Sequence, residues 1–155
     1  MGRLRTWPGF YFPLHSTHGM TVRILLIEDE PGPAILIQEA LDEICSDYDL
    51  SIVSDGELAL SRLQGLPIPP HIILLDLNLP KKPGLEVLEE IKADPELRMI
   101  PVIILTNSRS QEDVEKAYKK HCNAFVRKPL DFDDLVDALR ATGKFWFGIA
   151  TVCSP

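Results

Sequence analysis

The sequence predicts a doubly wound α/β fold, in which a five-stranded parallel sheet carries helices on both of its faces. Three short apolar runs, at 22–27, 72–75 and 102–105, are bounded by polar residues. Runs of this kind are typical of strands that are buried on both faces. Amphipathic helical patterns separate them, so strand and helix alternate five times along the chain. Right-handed crossovers then place helices on both faces of one sheet.

The individual elements follow from their apolar spacing. The first helix is predicted by apolar residues at i, i+3, i+4 and i+7, namely Ile37, Ala40, Leu41 and Ile44. Two further strands have weaker patterns, at 50–53 and 124–126. The other helices are predicted at 58–63, 85–91, 110–121 and 131–141. Asp131 is a suitable residue to begin the last helix, and Gly143 is a suitable residue to end it.

The length and charge of the chain indicate one acidic domain. The chain has 155 residues and a formal net charge of −7. We interpret 21–142 as the domain, 1–20 as an N-terminal extension that is flexible or precedes the biological start, and 143–155 as an aromatic C-terminal tail. The acidic charge argues against a general nucleic-acid-binding protein, because no excess positive charge is available to displace phosphate counterions.

The cysteines and the apolar runs bear on the compartment. Cys45, Cys122 and Cys153 are odd in number and widely spaced, without a CxxC motif. This pattern favours reduced thiols in a cytoplasmic protein over a disulfide framework or a zinc site. No apolar run reaches the roughly 18 residues that a membrane helix needs, so we expect no membrane association.

Polar residues stand at one end of the predicted strands. Glu28 and Asp29 follow the first strand, Asp76 follows the third, Thr106 ends the fourth, and Lys128 follows the fifth. The carboxyl ends of parallel strands meet at one edge of a sheet. Two carboxylates 4 Å apart repel one another by roughly 4 kcal/mol at an effective dielectric constant of about 20. Mg²⁺ would offset that repulsion, since it prefers oxygen ligands and partners that carry phosphate.

This set of residues suits phosphoryl transfer. A metal ion and Lys128 would neutralise charge on the phosphoryl oxygens. An Asp carboxylate beside Mg²⁺ can act as a nucleophile and become an aspartyl phosphate. Thr106 offers a hydroxyl donor at the same edge. Any one of these residues could simply cap a helix or lie in a solvated loop, but chance explains the whole set on four strands poorly.

Over about residues 22–140 the chain resembles the receiver domains of bacterial two-component response regulators. The resemblance implies a flavodoxin-like (βα)5 receiver fold and a phosphoacceptor at Asp76, within the motif at 74–80. It implies that Mg²⁺ is held by two carboxylates after the first strand, by the phosphoacceptor and by one backbone carbonyl, which are Glu28, Asp29, Asp76 and the carbonyl of Asn78.

The same resemblance assigns roles at the last two strands. Thr106 matches the switch hydroxyl that turns toward the phosphoryl group, and Lys128 matches the lysine that pairs with a phosphoryl oxygen. The Lys128–Pro129 bond is cis in this family. Phe125 stands at the aromatic switch position and lacks a tyrosine hydroxyl, so its switching is expected to be steric.

A narrower resemblance concerns the segments 76–82, 118–123 and 145–146. They are similar to stand-alone regulators that are paired with bacterial and cyanobacterial phytochromes. The resemblance implies that the phosphoryl donor is a sensor histidine kinase of the phytochrome type. The tail after the last predicted helix is too short for an output domain, so we expect signalling by protein–protein contact. A homodimer through the fourth helix, fifth strand, fifth helix and 145–149 is one such contact.

Glu28 and the pair Pro83-Gly84 are further departures from the family pattern. Glu28 stands where Asp is commoner, and its longer arm is expected to reach the metal through water. Pro83 and Gly84 stand where an acidic or amide residue usually precedes Gly. Pro at the second and Gly at the third position predict a type II turn.

Two other functions fit parts of the pattern. One is a metal-dependent phosphatase with an Asp nucleophile, but such enzymes use a second Asp two residues later, where Asn78 cannot transfer the proton. The other is a receiver-like binding module that is not phosphorylated, which the intact set of Asp29, Asp76, Thr106 and Lys128 argues against. We therefore expect a protein that catalyses only its own phosphorylation and dephosphorylation, not an enzyme in the ordinary sense.

Overall fold

The computed structural model describes residues 6–7, 10–11, 21–45 and 47–149, with side chains for 21–45 and 47–146. Near the N-terminus, Thr6–Trp7 pairs antiparallel with Phe10–Tyr11. The rest of the predicted extension at 1–20 and the tail residues 150–155, including Cys153, lie outside the described residues.

Five parallel strands form the main sheet. They are β1 (Val22–Ile27), β2 (Tyr48–Val53), β3 (Ile72–Leu75), β4 (Val102–Thr106) and β5 (Ala124–Arg127). Their order across the sheet is β2-β1-β3-β4-β5, and every neighbouring pair is parallel. The predicted doubly wound, five-stranded sheet is confirmed. The order reverses between β1 and β3, and ligand sites of open α/β sheets lie at that point, outside the carboxyl ends of the strands.

Five helices alternate with the strands. They are α1 (Pro31–Ile44), α2 (Gly56–Gly65), α3 (Gly84–Ala93), α4 (Gln111–Lys119) and α5 (Phe132–Gly143). Among the helices of the described residues, none combines the length and the apolar character that a bilayer crossing requires.

Two apolar cores lie on opposite faces of the sheet because successive strand residues point in opposite directions. Leu25 and Ile27 of β1 enter the core beneath α2, α3 and α4. Ile24 and Leu26 enter the core beneath α1 and α5. Every residue of β3 is buried, as expected for a central strand covered on both faces. These cores fix the strands whose ends carry the polar residues.

Both ends of α5 agree with the sequence, but the chain beyond the helix stays helical. Asp131 caps the helix, and its side chain accepts hydrogen bonds from the backbone N–H groups of Asp133 and Asp134. Gly143 is the last residue of α5, as predicted, but Lys144 keeps right-handed helical angles (φ −58°, ψ −43°) and a π-helical segment follows at Lys144–Ile149. Trp146 packs against the core beneath α1 and α5, which favours continued helix over a turn.

The prediction of a type II turn at Pro83 and Gly84 is wrong. Pro83 has φ −57° and ψ 148° and directly precedes α3, whose first residue is Gly84. The residue with positive φ in this loop is Lys81, at 65°. Glycine is needed at position 84 for another reason: a Cβ atom there would lie 2.3 Å from the carbonyl oxygen of Asp76. The loop after β3 is thus packed directly against the start of α3.

Candidate functional site at the carboxyl edge of the sheet

Three carboxylates converge where β1 and β3 end. Glu28, Asp29 and Asp76 each offer an oxygen, and these oxygens lie within 4.8 Å of one another. Glu28 and Asp76 are buried, whereas Asp29 is partly exposed. The backbone N–H of Asp76 donates to the carbonyl of Ile27 at 3.0 Å, which holds the two strand ends together. Clustered carboxylate oxygens with one partly open side are a donor set that fits Mg²⁺.

The ammonium group of Lys128 lies between two of these carboxylates. Its Nζ donates to Glu28 Oε2 at 2.5 Å and to Asp76 Oδ2 at 3.3 Å. The side chain is only 7% exposed. Because all three groups are largely desolvated, their charges act on one another more strongly than at the surface. Lys128 therefore offsets part of the repulsion that the sequence predicts.

The buried carboxyl group of Glu28 has a raised pKa. Burial raises the pKa of Glu28 to about 7, although the hydrogen bond and the charge of Lys128 act in the opposite direction. Burial disfavours the charged form of a carboxyl group. A bound cation beside this group would restore its charged form, so the cluster is an environment that favours a cation.

Thr106 and Lys128 occupy adjacent strand ends. Thr106 is fully buried, and its carbonyl accepts a hydrogen bond from the backbone N–H of Lys128 at 2.8 Å. The hydroxyl oxygen Oγ1 of Thr106 accepts from the backbone N–H of Ser108 at 3.3 Å. Ser108 in turn donates through Oγ to Asp113 Oδ2 at 2.5 Å. The loop after β4 is therefore tied both to the hydroxyl group and to α4.

Asn78 and Phe125 lie at the borders of this site. The backbone N–H of Asn78 donates to Asp76 Oδ1 at 3.3 Å, which orients the carboxylate. Phe125, in β5, is half-buried and packs against the core beneath α2, α3 and α4. The metal-binding role of the Asn78 carbonyl and the switching role of Phe125 stay predictions.

The predicted cis bond between Lys128 and Pro129 is wrong. No cis peptide bond occurs in the part of the chain that the structure describes, so this bond is trans. Even before proline the trans form is preferred by about 0.5–1 kcal/mol. With the trans bond, Lys128 Nζ still reaches both carboxylates, and the Lys128 carbonyl accepts a hydrogen bond from Arg109 Nη2 at 3.1 Å.

The sequence did not identify Ser108 and Arg109 as site residues. A partial signal exists for the loop, because Ser110 is followed by Asp113, and Ser110 caps α4 by accepting from the Asp113 N–H. Arg109 has no such signal. Its partner is the backbone of a residue 19 positions along the chain, and only the adjacency of β4 and β5 brings the two together.

Comparison with known proteins gives a consistent result. A family model described as response regulator receiver domain matches residues 24–140. Response regulator Rcp1 of Synechocystis sp. strain PCC 6803 is 41% identical over 135 residues, which cover 83% of this chain and 91% of Rcp1. The crystal structure of the Mn²⁺-bound form of Rcp1 matches with a TM-score of 0.79 and 39% identity, over 86% of this chain and 99% of Rcp1.

Two further relatives differ in what their names state. The phosphorylated cyanobacterial phytochrome response regulator RcpA matches with a TM-score of 0.83 and 37% identity, over 87% of this chain and all of RcpA. The probable methanogenesis regulatory protein FilR2 of Methanothrix harundinacea is 40% identical over 129 residues, which cover 81% of this chain and 83% of FilR2.

Proposed function

The chain belongs to the response regulator receiver domain family, and from this premise we propose that Asp76 accepts a phosphoryl group from a sensor histidine kinase in a Mg²⁺-dependent reaction. The observation that carries the proposal is the convergence of Glu28, Asp29 and Asp76 within 4.8 Å, with Lys128 Nζ 3.3 Å from the Asp76 carboxylate. Phosphoryl transfer needs mainly positioning and neutralisation of charge. The three carboxylates would hold a metal ion, and Lys128 supplies a positive charge.

In the proposed reaction, a carboxylate oxygen of Asp76 attacks the phosphorus of a phosphohistidine, and the bond between phosphorus and the imidazole nitrogen breaks. Mg²⁺, when bound, would offset the negative charge of the phosphoryl oxygens, and Asp29, Asp76 and the Asn78 carbonyl would hold it, with Glu28 acting through water. The backbone N–H of Asn78 orients Asp76. Lys128 moves from its carboxylate partners to a phosphoryl oxygen. The protein's catalysis is confined to its own phosphorylation and dephosphorylation.

Formation of the aspartyl phosphate leads to a structural change at β4 and β5. It adds a charge of about −1.5 to −2. The hydroxyl of Thr106 then donates a hydrogen bond to a phosphoryl oxygen. The hydrogen bond that Thr106 Oγ1 accepts from Ser108 in the unphosphorylated protein is lost. The space that Thr106 leaves admits Phe125, which turns inward. This movement remodels the surface formed by α4, β5 and α5.

We propose that the signal leaves through protein–protein contact at that surface, including a homodimer. Tyr118 of α4 and Phe145 of the π-helical segment are large apolar residues that are 51% and 49% exposed. Phe145 stacks edge-on against Trp146. The dimer is tested by comparing the sedimentation of the wild type with that of a Phe145→Ala variant, which should dimerise less. An unchanged profile would show that the segment is not part of the interface.

The proposed donor is a phytochrome histidine kinase in the cytoplasm. The support is RcpA, which is described as a phytochrome response regulator and is 37% identical. FilR2 is similarly close and is described as a methanogenesis regulator, so the donor must be identified by experiment. Transfer from a purified bacterial phytochrome kinase that differs between red and far-red light would support the proposal. Transfer only from another class of kinase would refute the phytochrome pairing.

The phosphoacceptor is tested by substitution. Asp76→Asn keeps the shape of the side chain and removes the nucleophilic charge, so we expect no labelling by acetyl phosphate with Mg²⁺. Asp49→Asn is the matched control, because Asp49 is exposed on the edge strand β2. It should be labelled at the wild-type rate. Labelling of the Asp76→Asn variant at the wild-type rate would place the acceptor elsewhere.

A further inference from the structure

We propose that Arg109 is a positioning residue that holds the main chain of Lys128 in place for phosphoryl transfer. Arg109 lies in the loop after β4 and contacts neither the three carboxylates nor, in the proposed reaction, the phosphoryl group. The inference deepens the proposed function and rests on it, because the group that Arg109 positions is the lysine assigned to a phosphoryl oxygen.

The peptide groups on both sides of Lys128 are fixed by β4 and its loop. The backbone N–H of Lys128 donates to the Thr106 carbonyl at 2.8 Å, and Arg109 Nη2 donates to the Lys128 carbonyl at 3.1 Å. Proline follows Lys128, so the next residue has no N–H with which to anchor the chain. Arg109 therefore supplies the hydrogen bond that fixes the chain after Lys128.

The side chain of Lys128 needs this fixed starting point. Its ammonium group reaches Glu28 and Asp76 from β5, across the ends of β4 and β3. Nζ lies 2.5 Å from Glu28 Oε2 and 3.3 Å from Asp76 Oδ2, so a rotation of the main chain at Lys128 that moves Nζ changes both contacts. Misplacement of a catalytic group by about 1 Å can lower a rate as much as 10²-fold.

The same loop also carries the hydrogen bond that Thr106 accepts. Ser108, which donates to Thr106 Oγ1, directly precedes Arg109. Arg109 thus links the loop that moves with Thr106 to the main chain of Lys128. The two groups assigned to the phosphoryl oxygens are thus contacted by consecutive residues of one loop.

Two variants separate the hydrogen bond from the charge. Arg109→Met has similar length and no donor, whereas Arg109→Lys keeps the charge and a flexible ammonium group that can donate. Arg127→Met is the matched control, because Arg127 is exposed and neighbours Lys128 in sequence, so it removes a charge of the same sign. A hydrogen bond worth about 1 kcal/mol corresponds to roughly a five-fold change in rate.

The first readout is the rate of labelling by acetyl phosphate at saturating Mg²⁺. We expect roughly a five-fold decrease for Arg109→Met, partial recovery for Arg109→Lys, and a wild-type rate for Arg127→Met. Equal rates for all three variants and the wild type would overturn the proposal. So would an equal loss in Arg109→Met and Arg127→Met, which would assign the effect to charge alone.

The second readout does not depend on phosphorylation. Hydrogen exchange of the Lys128 amide, measured by NMR, should be several-fold faster in Arg109→Met, while the Ile73 amide in β3 exchanges as in the wild type. Unchanged exchange at Lys128 would refute the positioning role. If the wild type is not labelled at all, the proposed function fails, and the exchange measurement still decides whether Arg109 holds the Lys128 main chain.

Discussion

Two lysines, one partly buried at the amino-terminal edge of the sheet and one buried at its carboxyl edge, use their ammonium groups in different ways. At the amino edge, Lys92 Nζ donates to the carbonyls of Arg98 and Ile100 at 3.1 and 2.9 Å and to Asn123 Oδ1 at 3.0 Å. All three of these acceptors are neutral. At the carboxyl edge, Lys128 binds two carboxylates.

The difference shows which lysine serves the fold and which serves the site. Lys92 joins the loop before β4 to the loop before β5, and without its ammonium group no charge is left unbalanced. Lys128 offsets carboxylates that repel one another, so its removal leaves buried negative charge that a metal ion could neutralise. The stability of the carboxyl edge should therefore depend on Mg²⁺, whereas that of the amino edge should not.

The largest expected effect is on phosphorylation. Lys128→Met removes the cation assigned to a phosphoryl oxygen, and loss of one such donor typically costs about 10²-fold in rate. Lys92→Met should change the rate of phosphorylation by less than two-fold, because Lys92 lies at the edge of the sheet opposite the reacting atoms. The rates are compared by acetyl phosphate labelling of both variants. Lys119→Met is the control, because Lys119 is exposed. Equal losses in the Lys128 and Lys92 variants would contradict this expectation.

The second effect is on stability. Lys92→Met should lower the free energy of unfolding by about 2 kcal/mol, because hydrogen bonds to a charged group contribute about 1.5–3 kcal/mol. This loss should be the same with EDTA and with Mg²⁺. Lys128→Met should also be destabilised in EDTA but recover part of its stability with Mg²⁺. Urea unfolding in the two buffers measures both, and recovery of the Lys92 variant with Mg²⁺ would refute the distinction.

A smaller effect of opposite sign is expected at Asp76. Asp76→Asn removes one of the repelling carboxylates and should raise the free energy of unfolding in EDTA by about 1 kcal/mol, as is common for residues retained for function at the expense of stability. The gain should shrink with Mg²⁺. A destabilised variant in EDTA would mean that the ion pair with Lys128 outweighs the repulsion.

The smallest effect is a pH dependence at the amino edge. Burial, together with the charge of Arg23, lowers the pKa of His71 below its usual 6.5. Its Nδ1 accepts a hydrogen bond from the backbone N–H of Arg23 at 3.0 Å. A proton on Nδ1 would prevent this hydrogen bond. As pH falls below 6.5 the unfolded chain binds a proton first, so stability decreases. In His71→Gln, the free energy of unfolding, measured in EDTA, should depend less on pH below 6.5. An unchanged pH dependence would assign the effect to other groups.

The sequence predicts most of the sheet because its buried strands are continuous apolar runs, as in β1, β3 and β4. It also predicts the convergence of Glu28, Asp29 and Asp76, since parallel strands share a carboxyl edge. Local patterns are less decisive where packing competes with them. Gly143 ends α5 as predicted, but no pattern predicts the π-helical segment that follows it, in which Trp146 packs against the core.

Other parts of the site depend on contacts that no short pattern encodes. Gly84 is required by the approach of the Asp76 carbonyl, not by a turn with positive φ. Arg109 can donate a hydrogen bond to the Lys128 carbonyl only because β4 and β5 are neighbours in the sheet. Lys92 likewise reaches Asn123 across 31 residues of sequence. Such contacts require the three-dimensional arrangement.

The central claim is that Asp76 becomes phosphorylated when Mg²⁺ is present, and chemical trapping of the modified residue tests it most directly. The wild-type protein is incubated with acetyl phosphate, with Mg²⁺ or with EDTA, and then reduced with borohydride, which converts an aspartyl phosphate to homoserine. Peptide mass spectrometry should find homoserine at position 76 only in the sample with Mg²⁺. Homoserine at another aspartate, or equal conversion at position 76 in EDTA, would contradict the account.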